Sequence, residues 1–331
     1  MSTLKIRAVR VLRKVAGTNP YAAKKLKALY SKPKVQSGEN FTQMTGRQYT
    51  IVQSKQGADE RRVGIYLRGA CDLPALFRIA PLMRDTFRGT CAIKRDPNEI
   101  SGSRSDLMMQ TLHDLANVPQ ETLNEVTAAF KLGVRYFSSD IFDPTFTIEG
   151  QQREMTFDKS VVVLSAAADF SRTLYRHREH GLLVDPGGFW LNSSIDSALH
   201  DMDAVKWFNK NFKSIGKMTP EDYHREFGAF VTEVKKRTGA HVMVLNLLAV
   251  DPADLTHNYR LIKNPDNARR RAFNVALAEM SEQHDFDIVD VDRILKGGGI
   301  SGQVDFAHAS EEQFMPVAAE AYRILKEREI L

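Results

Sequence analysis

The sequence predicts an α/β protein built as three layers, α/β/α, around a mainly parallel five-stranded sheet. Three observations predict it. Short β-rich runs alternate with amphipathic stretches from residue 61 onward, the pattern of strands joined by crossover helices. Two of the runs, SVVVLS over residues 160–165 and HVMVLNLLA over residues 241–249, are apolar along almost their whole length, as in strands buried on both faces. The 331 residues are 43% hydrophobic and 26% charged, which excludes collagen-like, low-complexity and wholly disordered classes.

In chain order, residues 63–68 (VGIYLR) read as the first strand and residues 73–83 as a helix behind it, despite Pro74 and Pro81. Residues 90–94 read as a weaker second strand, followed by a polar loop and a helix over 105–116. Residues 160–165 are the third strand. A helix over 220–237 leads to the fourth strand at 241–249. A helix over 267–284 carries Phe273, Val275, Ala276 and Met280 among its apolar positions, and residues 287–291 (DIVDV) follow as the fifth strand. A helix over 318–328 closes the chain. Residues 117–157 and 177–218 interrupt the alternation and read as insertions, which in such folds build lids and substrate walls.

The formal charge of +5 is a property of one end. Residues 1–34 carry ten Lys/Arg and no acid, and the rest of the chain carries 36 Lys/Arg against 41 Asp/Glu, a net of −5. Leu4, Ile6, Val9, Leu12 and Ala16 recur at helical spacing among the arginines. This basic N-terminal extension suits an anionic membrane surface, a polyanion, or simple exposure to solvent; no specific nucleic acid is expected. Residues 35–60, rich in Gln, Ser, Thr and Gly, read as a linker. No run reaches the ~18 apolar residues of a membrane span and no signal-peptide core is present. With Cys71 and Cys91 as the two cysteines, the expectation is a reduced, cytoplasmic protein, peripheral at the inner face of the membrane if the extension docks there.

Four short motifs fall in order along the alternation. Gly69-Ala70-Cys71-Asp72 ends the first strand, Ile100-Ser101-Gly102 follows the second, Ala166-Ala167-Ala168-Asp169 follows the third, and Asp305-Phe306-Ala307-His308 precedes the last helix. Over residues 61–328 this order resembles the SGNH/GDSL hydrolase superfamily, which implies a flavodoxin-like sheet and an acyl ester hydrolase or O-acyltransferase acting on a carbohydrate or glycoconjugate. By the resemblance, Cys71 stands at the nucleophile, His308 at the general base, Asp305 at the acid that orients it, and Gly102 at an oxyanion-binding glycine. Ala168 stands where the family carries an asparagine that donates to the oxyanion; losing one such donor costs ~10²–10³ in rate. A catalytically inactive relative binding a glycan or nucleotide is the alternative class.

The chemistry also reads from the residues. A thiol attacks as thiolate, a His within reach takes its proton, and an acid three residues earlier holds the other ring nitrogen. No metal or bound cofactor is implied, although an acyl-CoA donor fits the transferase version. Each residue has a plainer reading. Cys71 and Cys91 read as small buried apolar residues, and Asp305 as a loop cap. Asp72 and Asp169 read as N-caps of the helices that follow them, with Asp72 and Gly69 adjoining the nucleophile. Asn246 is buried in its strand or faces the pocket. Ser139, after the run Val134–Phe137, is a rival nucleophile; His177, His180 and His200 lack metal-ligand spacing; Gly297, Gly298 and Gly299 lack a P-loop context.

Overall fold

Val161, Val162, Val163 and Leu164 are consecutive and all fully buried. Side chains alternate between the faces of a strand, so this run needs cover above and below. The computed structural model describes residues 34–37, 41–45, 49–54, 62–68, 104–113, 115, 117–130, 145–148, 151–154, 156–186, 199, 201–249, 265–297, 303–305, 308–309 and 311–330, together with Leu73 and Leu76.

The chain begins with strands β1 (Lys34–Ser37), β2 (Phe41–Thr45), β3 (Tyr49–Ser54) and β4 (Arg62–Arg68). Helices α1 (Ser105–Leu112) and α2 (Gln120–Phe130) precede the hairpin of β5 (Thr145–Ile148) and β6 (Gln151–Glu154). Then come β7 (Lys159–Ser165), α3 (Ala167–Ser171), β8 (Thr173–His177), β9 (Leu183–Val184), α4 (Met202–Asn211) and β10 (Phe212–Lys217). The C-terminal part runs α5 (Pro220–Thr238), β11 (His241–Leu245), α6 (Pro265–His284), β12 (Asp287–Val289), α7 (Val291–Gly297), β13 (Gln303–Asp305), β14 (His308–Ala309) and α8 (Glu311–Glu327).

Seven of these strands form one sheet in the order β1-β2-β3-β4-β7-β11-β12. The pairs β4/β7, β7/β11 and β11/β12 are parallel, while β1, β2 and β3 add an antiparallel meander at the β4 side. The protein is therefore α/β, with a four-stranded parallel core. Each parallel step moves the same way along the sheet, and right-handed crossovers then carry α1, α5 and α6 to one face; accordingly α1 packs on α5 and α5 on α6.

Two expectations are corrected here. Residues 35–60, read as a linker, hold three paired strands. The mainly parallel five-stranded sheet is a seven-stranded mixed one with four parallel strands among the described residues. Residues 90–94, read as the second strand, lie outside those residues; among the described residues β4 is paired by β3 on one side and β7 on the other.

Local signals explain the best-defined helix. Thr219 caps α5 by accepting the Asp222 N–H at 3.1 Å, Pro220 opens it, and Gly239 ends it in the left-handed region at φ 62°. Its Tyr223, Phe227, Phe230, Val231 and Val234 face the core, where the Tyr223 ring stacks on Phe273 of α6 at 4.7 Å. Helix α8 starts seven residues earlier than the expected 318, running through Pro316 because Phe314 and Val317 on the added turns bury into the same core.

The two insertions pack on each other. Val126 of α2, Val205 and Phe208 of α4, Phe212 of β10, and Leu182, Val184 and Leu199 form a second hydrophobic cluster. In it Phe208 stacks on Phe212 at 4.6 Å, beside the three-stranded sheet β10-β8-β9.

Candidate functional site

The four parallel strands end level with one another. Arg68 pairs with Leu164, Ser165 with Leu245, and Leu245 with Val289. The described residues that leave these ends share one edge of the sheet, where ligands of open α/β folds are bound: residues 166–169 after β7, Asn246 after β11 and Asp290 after β12. Gly69, Cys71, Asp72, Gly102 and the rival Ser139 lie outside the described residues, as does the basic extension over residues 1–33.

Asp169 does not cap the helix that follows it. It lies within the first turn of α3, fully buried, and its carboxyl reaches to α1. There Oδ1 accepts both the backbone N–H and the hydroxyl of Ser105, each at 2.7 Å. An acid from one strand end thus caps a helix that begins 64 residues earlier. Oδ2 is buried with no hydrogen-bond partner among the described residues, and so is the hydroxyl of Tyr223. Burial pushes the Asp169 carboxyl up to about 7 against the opposing pull of the Ser105 donors; Asp106 adds to the rise and Arg104 counters it. Burial, then the Asp169 charge, drives the Tyr223 hydroxyl well above its ordinary range.

Arg104, next to Ser105, is 3% exposed. Its Nη1 donates to the carbonyls of Gly216 at 2.6 Å and Arg172 at 3.3 Å, while Nε and Nη2 donate to the two oxygens of Asp106 at 3.2 and 2.6 Å. One guanidinium therefore ties α1 to the end of α3 and to β10 of the second insertion. On the other flank of β7's exit, Arg269 donates to the carbonyls of Phe170 and Met218 at 2.7 and 2.6 Å, and its guanidinium lies 4.3 Å from the Phe170 ring centre.

Asn246 is occupied on both sides of its amide. Nδ2 donates to Asp290 Oδ1 at 2.8 Å and Oδ1 accepts the Asp292 N–H at 3.1 Å. Asp292 in turn accepts the Ala249 N–H at 2.7 Å. These bonds splice the exits of β11 and β12 together, so Asn246 organises the edge. Asp305 and His308 are direct register partners in the β13–β14 pair. The structure thus brings together Asp305 with His308, and Asn246 with Asp290, whereas Asp169 joins Ser105 and not Asn246.

Sequence reasoning missed Arg104, Ser105 and Asp290. Ser105 carried a usable signal, since a serine opening a predicted helix is a cap position. Its partner carried none, because it depends on two distant strands being neighbours. His177 belongs to a turn: its Nδ1 accepts the N–H groups of Glu179 and His180 at 3.3 and 3.2 Å, and its ring stacks on His180 at 4.9 Å. Burial, then His180, lowers its pKa. Among the described residues no group of three His, Cys, Asp or Glu side chains is placed to hold a metal ion, and no helix is long and apolar enough to cross a membrane.

No protein-family model matches the chain, and no curated protein matches it.

Proposed function

We propose that the chain is an SGNH-type acyl ester hydrolase or O-acyltransferase acting on a carbohydrate or glycoconjugate, with Cys71 as nucleophile, His308 as general base and Asp305 as its orienting acid. The observation that supports the reading is the level ending of β4 and β7: the Arg68–Leu164 register sets the end of β4, after which the Gly-Ala-Cys-Asp motif follows in the sequence, beside the end of β7, from which residues 166–169 leave. The direct pairing of Asp305 with His308 supports the acid–base assignment. A three-layer arrangement accords with the buried β7 run, although β3 holds the sheet position that a flavodoxin-like order gives to a second parallel strand.

In this reaction His308 takes the Cys71 proton and the thiolate adds to the ester carbonyl, forming the C–S bond. Backbone N–H groups of Cys71 and Gly102 hold the oxyanion. The C–O bond then breaks, and the alcohol leaves with the proton from His308. Water or an acceptor hydroxyl, deprotonated by His308, adds to the thioester and releases Cys71. Asn246 does not stand in for the asparagine absent at Ala168, because its amide is spent on Asp290 and Asp292. Ala168 itself, 1% exposed, favours the second reading: a non-catalytic glycan- or nucleotide-binding protein that docks on a membrane or a partner through residues 1–34.

The test is the pH dependence of iodoacetamide alkylation at Cys71, in a Cys91→Ser background with and without His308→Ala. A thiol pKa well below ~8.5 that rises when His308 is removed, together with acetylation of Cys71 by p-nitrophenyl acetate, is the expected result. A thiol indifferent to His308 moves the assignment to the binding protein or to Ser139 as the nucleophile.

A further inference from the structure

A fully buried carboxyl with one oxygen bonded twice and the other bare requires a physical account, because an unsatisfied buried oxygen is costly. At Asp169 the bonded oxygen takes both of its donors from Ser105, the first residue of α1. Arg104, immediately before, is anchored to the Arg172 and Gly216 carbonyls on the far side of α3. Two consecutive residues at the start of α1 are therefore held by the segment leaving β7 and by β10. We infer that Asp169 is a positioning residue that clamps the first turn of α1 onto the carboxyl end of β7. The inference rests on the acyl-transfer reading only for what the clamp serves, since Gly102 stands three residues before Ser105; the clamp itself stands on the bonds.

The clamp responds to protons. Among the described residues, the charged and titratable groups around Asp169 are Arg104 at the N-cap of α1, Asp106 on α1, Tyr223 on α5, and Arg269 and Arg270 on α6 over the neighbouring Phe170. Arg104 spends its fork on Asp106 and two carbonyls, and among the described residues the carboxyl's second oxygen meets no hydrogen-bond donor. With burial raising the carboxyl to about 7, Asp169 is a neutral acid in mildly acidic solution. Above that it becomes a buried charge, which is relieved by lifting the first turn of α1 to admit water. The clamp loosens as pH rises.

Hydrogen exchange followed by mass spectrometry on the full chain tests this, at pH 5.5 and pH 8 and corrected for intrinsic exchange. Asp169→Ala is expected to raise exchange across residues 104–112 about tenfold, the loss of a buried hydrogen-bonded pair, with residues 265–284 of α6 unchanged. Asp169→Asn keeps an acceptor and does not ionise, so α1 stays protected at both pH values, whereas the wild type loosens at α1 from pH 5.5 to pH 8. Unchanged exchange at α1 in Asp169→Ala, or loosening spread equally over α6, overturns the inference. Should Asp169→Ala not fold, Ser105→Ala decides: a severalfold rise confined to α1 supports the clamp, and no rise overturns it. Cys71 alkylation in the same samples reports on the acyl-transfer reading alone, so the two stand or fall separately.

Discussion

Phe157 fills the space that a side chain on Gly64 would need: a Cβ at Gly64 would come within 2.8 Å of the Phe157 ring. Gly64 lies mid-strand in β4, paired with Ile51 and Ser160, and the same ring meets Tyr66, two residues on, edge-to-face at 6.2 Å. The residue that leads into β7 is thereby keyed onto its neighbouring strand. Gly64→Ala is expected to lower stability by about 1–3 kcal/mol through overpacking, and adding Phe157→Leu to recover part of it. Denaturant midpoints of the two variants and the double variant check this.

Replacing Arg104 with Met leaves the half-buried Asp106 carboxylate without its partner and removes the donor from two carbonyls. The expected loss is about 3 kcal/mol. Arg104→Lys does not restore it, because a single ammonium does not span three acceptors as a planar fork does. Urea unfolding of both variants tests the size and the failure of the conservative change.

Asn246→Ala deletes the bonds to Asp290 and Asp292 and is expected to cost about 1–3 kcal/mol. Asn246→Asp keeps the acceptor for the Asp292 N–H but sets a second carboxylate against Asp290. It is expected to be the worse of the two at pH 7 and to recover towards pH 4 as the pair takes up a proton. Unfolding free energies at the two pH values give the ordering.

Asp169 gives the wild type a defined pH slope. Its carboxyl rises from 3.8 to about 7 on folding, so between those values the folded state holds a proton that the unfolded state has released. Stability therefore falls as pH rises through that window and levels off above it. Asp169→Asn removes the term. From pH 5 to pH 7 the stability of Asp169→Asn relative to wild type is expected to improve by about 2 kcal/mol. A constant difference between the two proteins across that range would contradict the burial of a titrating carboxyl.

The parallel core and the long helices were legible in the chain because their causes are local. Residues 160–165 and 241–249 announce strands by their largely apolar character, the second ending at Leu245 in the structure, and α5 is bounded by Thr219, Pro220 and Gly239 within the sequence itself. The β1–β3 meander was not legible: its Gln, Ser and Thr composition matches a linker, and the strands exist because β4 offers them an edge. Residues 117–157 and 177–218 each look like an isolated insertion, yet Val126 from one and Phe208 and Phe212 from the other make a single cluster that neither forms alone.

At the candidate site, the sequence alone determined the residue types, their short spacing and that several candidates follow strand ends, since these are properties of the chain. The tertiary structure decided their partners. Asp169 reads as the cap of its own helix and serves as the cap of α1, because the β4–β7 crossover brings Ser105 within 2.7 Å of it. Asn246 reads as a pocket residue and is consumed by Asp290, 44 residues on, once β11 and β12 lie side by side. A hydrogen bond is fixed by distance and angle in space, and that distance is set by strand order, which no local run of residues encodes.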